Sequence, residues 1–261
     1  MTVAALTAQG VSVSFGGVHA LVDVELEVPE GSLVGLIGPN GAGKTTFIDA
    51  VTGFVRARGR VELHGRELSR LAPHERARSG LARTWQAGEL FDDLTVGENL
   101  AVATARPSRW TTVREVLWKA PPDGAAVRDA LEVVGVDGAL DKLPTELSQG
   151  ERKLVGVARA LAGAPSVLCL DEPGAGLDSS ESEKLGRQLR RVVDGGTAIL
   201  LVDHDMGLVL SVCDRIVVLE FGKVIASGTP EEVRRDPRVV EAYLGGAGAR
   251  RAADALDMEA G

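Results

Sequence analysis

Residues 38–46 read Gly38-Pro39-Asn40-Gly41-Ala42-Gly43-Lys44-Thr45-Thr46, and they follow the apolar run Ser32-Leu33-Val34-Gly35-Leu36-Ile37. An apolar strand, a glycine-rich turn and a helix opening on Lys-Thr make up the G-x-x-x-x-G-K-[ST] phosphate loop in the setting it requires. Glycines let the backbone approach a polyphosphate and turn its N–H groups inward. The helix N-terminus adds partial positive charge. Lys44 is suited to the β- and γ-phosphates, and the Thr45 hydroxyl to Mg²⁺. The chain holds 32 glycines, so two glycines at this spacing carry little weight alone. The strand before them and the Lys-Thr after them decide for nucleotide binding over a turn that binds nothing.

A second string, Val167-Leu168-Cys169-Leu170-Asp171-Glu172, is an apolar strand ending in two carboxylates. Ligands gather at the carboxyl ends of parallel strands, which points both acids at the nucleotide. Asp171 is then placed for Mg²⁺, directly or through water, and Glu172 for orienting or deprotonating an attacking water. Without the phosphate loop the pair would read as a solvated acidic turn. A third string, Leu147-Ser148-Gln149-Gly150-Glu151, precedes a helical pattern over 152–163 with Leu154, Ala158 and Leu161 on one face. Ser148 with Glu151 three residues on is a capping box. The same helix start could instead present Ser148 and backbone N–H groups to a γ-phosphate.

These groups need a scaffold, and the chain supplies two kinds of strand. Val22 to Val28 alternates apolar and acidic residues, and Val11 to Phe15 and Arg60 to Leu63 look similar, predicting a small half-solvated antiparallel sheet beside the phosphate loop. Val167 to Leu170 and Ala198 to Val202 are continuous apolar runs, as in strands buried on both faces of a parallel sheet. Ile216 to Leu219 and Val224 to Ala226 flank Phe221-Gly222, a hairpin turn. Phe47, Val51 and Phe54 are expected on one helix face after the phosphate loop. Leu185, Leu189 and Val193 are expected on another, after the acidic stretch Asp178 to Glu183. Leu94 to Ala164 is mostly helical with proline breaks, a helical insertion in an α/β core.

Composition narrows the function. The chain has 261 residues, 44% of them hydrophobic, and a net charge of −8. That charge argues against a nucleic-acid surface. Arg56 to Arg60 or Arg66 to Arg83 could still form a basic patch, but both are read as solvated faces. Cys169 and Cys213 fit neither a metal spacing nor a disulfide framework and are expected as reduced core residues of a cytosolic protein. No apolar run reaches membrane-span length and no secretory leader is visible, so a membrane role must come through a partner. The segment from Gly245 is small, charged and expected to be disordered.

The phosphate loop, the Leu-Ser-x-Gly-x string ahead of Asp171-Glu172, and a histidine after the next buried strand together resemble the ATP-binding-cassette (ABC) ATPase family, from about Leu6 to Leu244. The resemblance implies an α/β P-loop ATPase core with a mixed, largely parallel sheet. An antiparallel β-subdomain flanks it, and a helical subdomain at about 94–164 is inserted in a RecA-like core. The domain would run over 1–244 and the tail over 245–261. The implied cofactors are ATP and Mg²⁺. In the family, two cassettes sandwich two ATP molecules, so Leu147, Ser148, Gln149, Gly150 and Glu151 would serve the partner's site. Family members often have Gly where Gln149 stands and Gln where Glu151 stands. His204 would contact the γ-phosphate and steady the water, although a lone histidine there is more often structural. Asp178, in Gly174-Ala175-Gly176-Leu177-Asp178, matches a loop that crosses to the other subunit; it also fits a helix N-cap. Gln86 would join Mg²⁺ and water to the helical subdomain. Lys44, Gln86, Glu172 and His204 form the implied catalytic set, and Thr45, Gln86 and Asp171 the metal set. Phe15 would stack on adenine; a core aromatic at a strand end is the other reading.

Within the family, Arg83-Thr84-Trp85-Gln86, Leu94-Thr95-Val96-Gly97-Glu98-Asn99-Leu100, Asp203-His204-Asp205-Met206 and Tyr243-Leu244-Gly245 resemble importers for branched-chain amino acids. Trp85, where that branch has Phe, is a departure. So is Gly97 at a helix start, which lowers helix propensity. Urea and amide importers and lipopolysaccharide-export ATPases are the neighbouring branches. The implied partners are a second cassette, identical or paralogous, transmembrane permease subunits, and indirectly a solute-binding protein. The implied location is cytoplasmic, on the inner face of the membrane. Leu90, Phe91 and Leu94 would line a groove for a permease helix or simply pack in the core. A translation factor normally carries two cassettes, and a chromosome-binding ATPase needs a long coiled coil; this chain has neither.

Overall fold

Two sheets of different kinds pack against the helix that follows the phosphate loop. The computed structural model describes residues 3–84, 90–104 and 124–244. β1 (Ala4–Phe15) and β2 (Val18–Pro29) form an antiparallel hairpin around Gly16-Gly17, with Phe15 opposite Val18. β4 (Arg58–Leu63) pairs with β1, and the short β5 (Arg66–Glu67) closes the order β2-β1-β4-β5. This is the flanking antiparallel sheet, with alternate residues buried as the pattern predicts.

The second sheet has six strands in the order β10-β9-β3-β8-β7-β6. Its members are β3 (Leu33–Ile37), β6 (Leu81–Arg83), β7 (Val167–Asp171), β8 (Ala198–Val202), β9 (Arg215–Glu220) and β10 (Lys223–Gly228). All neighbours are parallel except the β9–β10 hairpin. Every residue of β3, β7 and β8 is buried. Along β7, Val167 and Cys169 face the antiparallel sheet and α1 (Lys44–Thr52), whereas Leu168 and Leu170 face the other helices. Period-two alternation between two cores explains why the run is apolar throughout. Burial pushes the Cys169 thiol up to about 12 and Cys213 upward as well, so both are inert core residues.

Helices cover the second core. They are α3 (Val96–Thr104), α4 (Gly124–Val133), α5 (Gln149–Leu161), α6 (Ser179–Asp194) and α7 (Met206–Val212). α6 buries Leu185, Leu189 and Val193 as expected. Gly97 is explained by packing. A Cβ there would meet Leu140 Cδ1 at 2.9 Å, and its N–H donates to the Leu140 carbonyl. α8 (Pro230–Arg235) and α9 (Pro237–Leu244) close the described chain.

Two expectations fail. Phe54 does not share the face of Phe47 and Val51, because α1 ends at Gly53, whose φ of 87° stops it; Phe54 lies outside, 53% exposed. The stretch from Arg66 to Arg83 is not simply a solvated face. Arg76, on α2 (Pro73–Arg78), is buried and inserts its guanidinium at the end of α1, donating to the carbonyls of Ala50, Val51, Leu71 and Ser69. Four acceptors satisfy a charge that burial would otherwise penalise, and two of them, Ala50 and Val51, are carbonyls of the last turn of α1. The Arg83 side chain is likewise buried. Arg56, Arg58 and Arg60 are exposed as predicted. Trp85, Gln86 and the tail from Gly245 lie outside the described residues.

Candidate nucleotide site

Register builds the site. Val202 of β8 lies opposite Leu36 of β3 on one side and Asp171 of β7 on the other. The three strand ends therefore deliver the phosphate loop, Asp171-Glu172 and Asp203-His204 to one edge of the sheet. Gly38 must be glycine. Its φ is 150°, and a Cβ there would fall 2.0 Å from the Leu219 carbonyl oxygen. α1 begins at Lys44 with Gly43 as its N-cap, and no side chain caps it. Its first N–H groups are thus left for an anion. Lys44 is buried, and its amine donates to the carbonyls of Gly38 at 2.7 Å and Pro39 at 3.1 Å. Burial lowers its pKa, opposed by Glu172 and Asp171. The cation and both carboxylates thus feel one another.

Asp171 is 2% exposed. Its Oδ2 accepts from Arg83 Nη2 at 3.0 Å, and the other Nη of Arg83 binds Asp49 of α1. Its Oδ1 is buried and has no hydrogen-bond partner among the described residues. An anionic oxygen kept from water and from protein donors is a place for a cation. Among the described residues no group of three or more His, Cys, Asp or Glu could hold a metal by itself. That suits Mg²⁺, which binds through one or two carboxylates and completes its shell with phosphate and water. Thr45, exposed in the first turn of α1, offers the hydroxyl. Burial raises the Asp171 pKa, with Arg83 acting against it.

Glu172 has a φ of 50°, unusual for a residue with a Cβ, held by its N–H donating to the Val202 carbonyl at 2.7 Å. His204 Nδ1 lies 4.0 Å from Glu172 Oε2 and 3.6 Å from Asp203 Oδ1, and its ring is 59% exposed. Sequence reasoning missed Asp203. Its buried carboxylate accepts from the N–H groups of His204 and Asp205 through Oδ1 and of Gly174 through Oδ2. It ends a buried strand one position after Val202, the same signal that singled out Asp171. Lys153 of α5 was also missed. Burial lowers its pKa against the pull of Asp203 and Glu172.

Most of the other sequence-predicted residues lie at or near the surface. Ser148 caps α5, its Oγ accepting from the Glu151 N–H while the Glu151 carboxylate accepts from the Ser148 N–H. That second bond holds Glu151 below the usual range. Asp178 caps α6 in the same way and is also held low. Leu147 is buried, whereas Ser148, Gln149 and Asp178 are exposed. The two strings pack on each other: a Cβ on Gly176 would meet Gln149 Nε2 at 2.8 Å, and one on Gly150 would meet Glu181 Oε1 at 2.7 Å. Among the described residues, no hydrogen bond joins Ser148, Gln149 or Asp178 to the phosphate loop. Phe15 is no core aromatic. It stands 52% exposed at the tip of the β1–β2 hairpin. Leu90 is buried and Phe91 half exposed, and buried Asn99 fixes that turn through the Phe91 N–H and the Phe91, Leu94 and Thr95 carbonyls.

A glycine loop leading from a buried parallel strand into a Lys-Thr helix, with acids ending the neighbouring strands, defines the class: a P-loop nucleoside triphosphatase. Residues 21–175 match the family described as ABC transporter, and residues 223–249 match branched-chain amino acid ATP-binding cassette transporter. The chain belongs to the ABC transporter family, as an ATP-binding cassette that hydrolyses ATP. It is 38% identical over 249 residues to the high-affinity branched-chain amino acid transport ATP-binding protein BraF of Pseudomonas aeruginosa, covering 92% of this chain and 97% of BraF. LivG of Salmonella typhimurium, described in the same words, is 39% identical at the same coverage. The lipopolysaccharide export system ATP-binding protein LptB of Haemophilus influenzae is 36% identical over 241 residues, again covering 92% and 97%. Among solved structures, a nucleotide-free ATP-binding cassette from an ABC transporter superposes with TM-score 0.83 at 29% identity, covering 94% of this chain and all of that one. The ADP conformation of another such cassette gives 0.81 at 30%, with the same coverage.

Proposed function

We propose that this cassette binds ATP with Mg²⁺, works face to face with a second cassette, and powers import of branched-chain amino acids or related small solutes through a permease. The observation that carries the site reading is the convergence of Lys44, Asp171, Glu172 and His204 at the ends of β3, β7 and β8. The loop from Gly38 to Thr46, with Pro39, Asn40, Gly41, Ala42 and Gly43, cradles the phosphates, and Lys44 neutralises them. Thr45 and Asp171, with Gln86, hold the metal, which offsets phosphate charge when bound. Glu172 takes or orients the proton of the attacking water, and His204 steadies it against the γ-phosphate. Phe15, exposed at the tip of the β1–β2 hairpin, stacks on adenine.

Leu147 to Glu151 and Asp178 act toward a partner cassette; the exposure of Ser148, Gln149 and Asp178 supports this. The domain runs over 1–244, with the helices at about 94–164 as an inserted subdomain. The half-exposed Phe91 beside Leu90 and Leu94 supports a permease contact there. Among the described residues no helix is long and apolar enough to cross a membrane. In this reading the cassette sits on the cytoplasmic face, held by the permease, with a solute-binding protein acting indirectly. Matches to BraF and LivG and to the branched-chain family over 223–249 favour that cargo. The match to LptB keeps lipopolysaccharide export as the second reading.

Glu172→Gln tests the chemistry. It should bind ATP normally, dimerise in its presence by light scattering, and hydrolyse about 100-fold more slowly or worse. Near-normal turnover removes Glu172 from the base role. Mass spectrometry of the complex extracted in mild detergent identifies the permease and separates the two cargo readings.

A further inference from the structure

Asp171 uses its two oxygens unequally. Oδ2 accepts from Arg83 at 3.0 Å, whereas Oδ1 is buried without a hydrogen-bond partner among the described residues. Arg83 is held on several sides. Its second Nη binds Asp49 of α1, its guanidinium carbon lies 5.9 Å from the centroid of the Phe54 ring, and its side chain is 6% exposed. A guanidinium is a planar, rigid fork, so fixing one tine aims the other. This also accounts for Phe54, stranded outside α1: its ring covers the fork.

We propose that Arg83 sets the metal preference of this site: by occupying Oδ2 it restricts Asp171 to one ligating oxygen and so favours Mg²⁺ over Ca²⁺. Arg83 is a positioning residue here, and the inference rests on reading Asp171 as a metal carboxylate. Mg²⁺ asks for short bonds, near-octahedral geometry and few protein ligands. Ca²⁺ takes more oxygens and accepts a carboxylate through both of them. A carboxylate whose second oxygen is locked cannot close on Ca²⁺ in that way; once released, it can.

Charge alone does not imitate this effect. Removing the Arg83 cation alters attraction for both divalent ions together, as does any general loosening of the fold. The ratio of the two affinities isolates the geometric contribution.

The test uses the purified chain with a non-hydrolysable ATP analogue and Mn²⁺, read by electron paramagnetic resonance. Mg²⁺ and Ca²⁺ are titrated separately to displace Mn²⁺, and the two competition constants are divided. Arg83→Lys and Arg83→Met should each shift the ratio toward Ca²⁺ by about tenfold, the scale of one hydrogen bond to a charged group. Asp49→Asn, which removes only the anchor of the fork, should shift it the same way by less. If Arg83→Met fails to fold, Arg83→Lys and Asp49→Asn decide. Ratios within about twofold of wild type in both overturn the proposal. Asp171→Asn separates the two levels: if it binds Mn²⁺ like wild type, the metal reading of Asp171 is wrong and the selectivity falls with it.

Discussion

Glu172 carries a strain that its replacement should release. Its φ is 50°, and Pro173 follows it. Left-handed backbone costs a residue with a Cβ about 1–2 kcal/mol. Glycine escapes that cost but gives back about 0.4–1 kcal/mol through the greater freedom of its unfolded chain. Glu172→Gly should therefore be more stable than Glu172→Ala by about 0.5–1 kcal/mol, because alanine loses the carboxylate yet keeps the Cβ. At about 2–4 °C per kcal/mol for a chain of this size, the gap in melting temperature is about 1–4 °C. Glu172→Asn, whose side chain tolerates this region, should fall between them. Circular dichroism melts without nucleotide or metal measure the gap, and a phosphate-release assay should find hydrolysis lost in all three. If glycine melts at or below alanine, the strain is absent and the backbone at the end of β7 is not what the geometry implies.

Other sites give independent checks. Gly38→Ala would drive a Cβ to 2.0 Å from the Leu219 carbonyl in the middle of the sheet, and should cost about 3 kcal/mol or more in urea unfolding and abolish ATP binding. Gly41→Ala, whose Cβ meets nothing within 4 Å, should lose only the net backbone cost of about 0.5–1 kcal/mol. Arg76→Met removes the guanidinium donor from four carbonyls and should lower stability by about 3 kcal/mol, with nucleotide affinity per folded molecule unchanged in isothermal titration. Glu151 is held low by the Ser148 N–H, so its contribution is present above the ordinary glutamate range and lost as pH falls through the lower folded value. Glu151→Gln should thus melt lower than wild type at pH 7, with the difference closing below about pH 4.

The parts that were legible follow repeating patterns. β7 and β8 announced themselves as apolar runs because both faces are covered, and the helix from Ser148 showed its own capping box. β6 did not. It is three residues long and ends in an arginine, which local pattern assigns to solvent. Asp49 and Asp171, far off in sequence, draw the Arg83 side chain inward. Arg76 misled in part for the same reason, since the Ala50 and Val51 carbonyls that draw it in belong to α1, while its other two acceptors, Ser69 and Leu71, are near in sequence. Phe54 was assigned to α1 by spacing, although Gly53 before it was the local signal that the helix had ended. The positive φ of Glu172 has no sequence signature at all. It is imposed by the Val202 carbonyl on the neighbouring strand.

Asp203 gives the site a single point of failure. The loop leading to Asp178 and the turn carrying His204 both hang from one carboxylate, through Gly174 and through His204 and Asp205. Asparagine keeps the shape but offers one acceptor where two are used. Glutamate is longer, and Oδ2 already lies 2.8 Å from where a Cβ on Gly174 would stand. In a map of mutational sensitivity, Asp203 would therefore score with Glu172 as indispensable. The freedom of this cassette to drift in sequence is limited there by a side chain that meets no reacting atom.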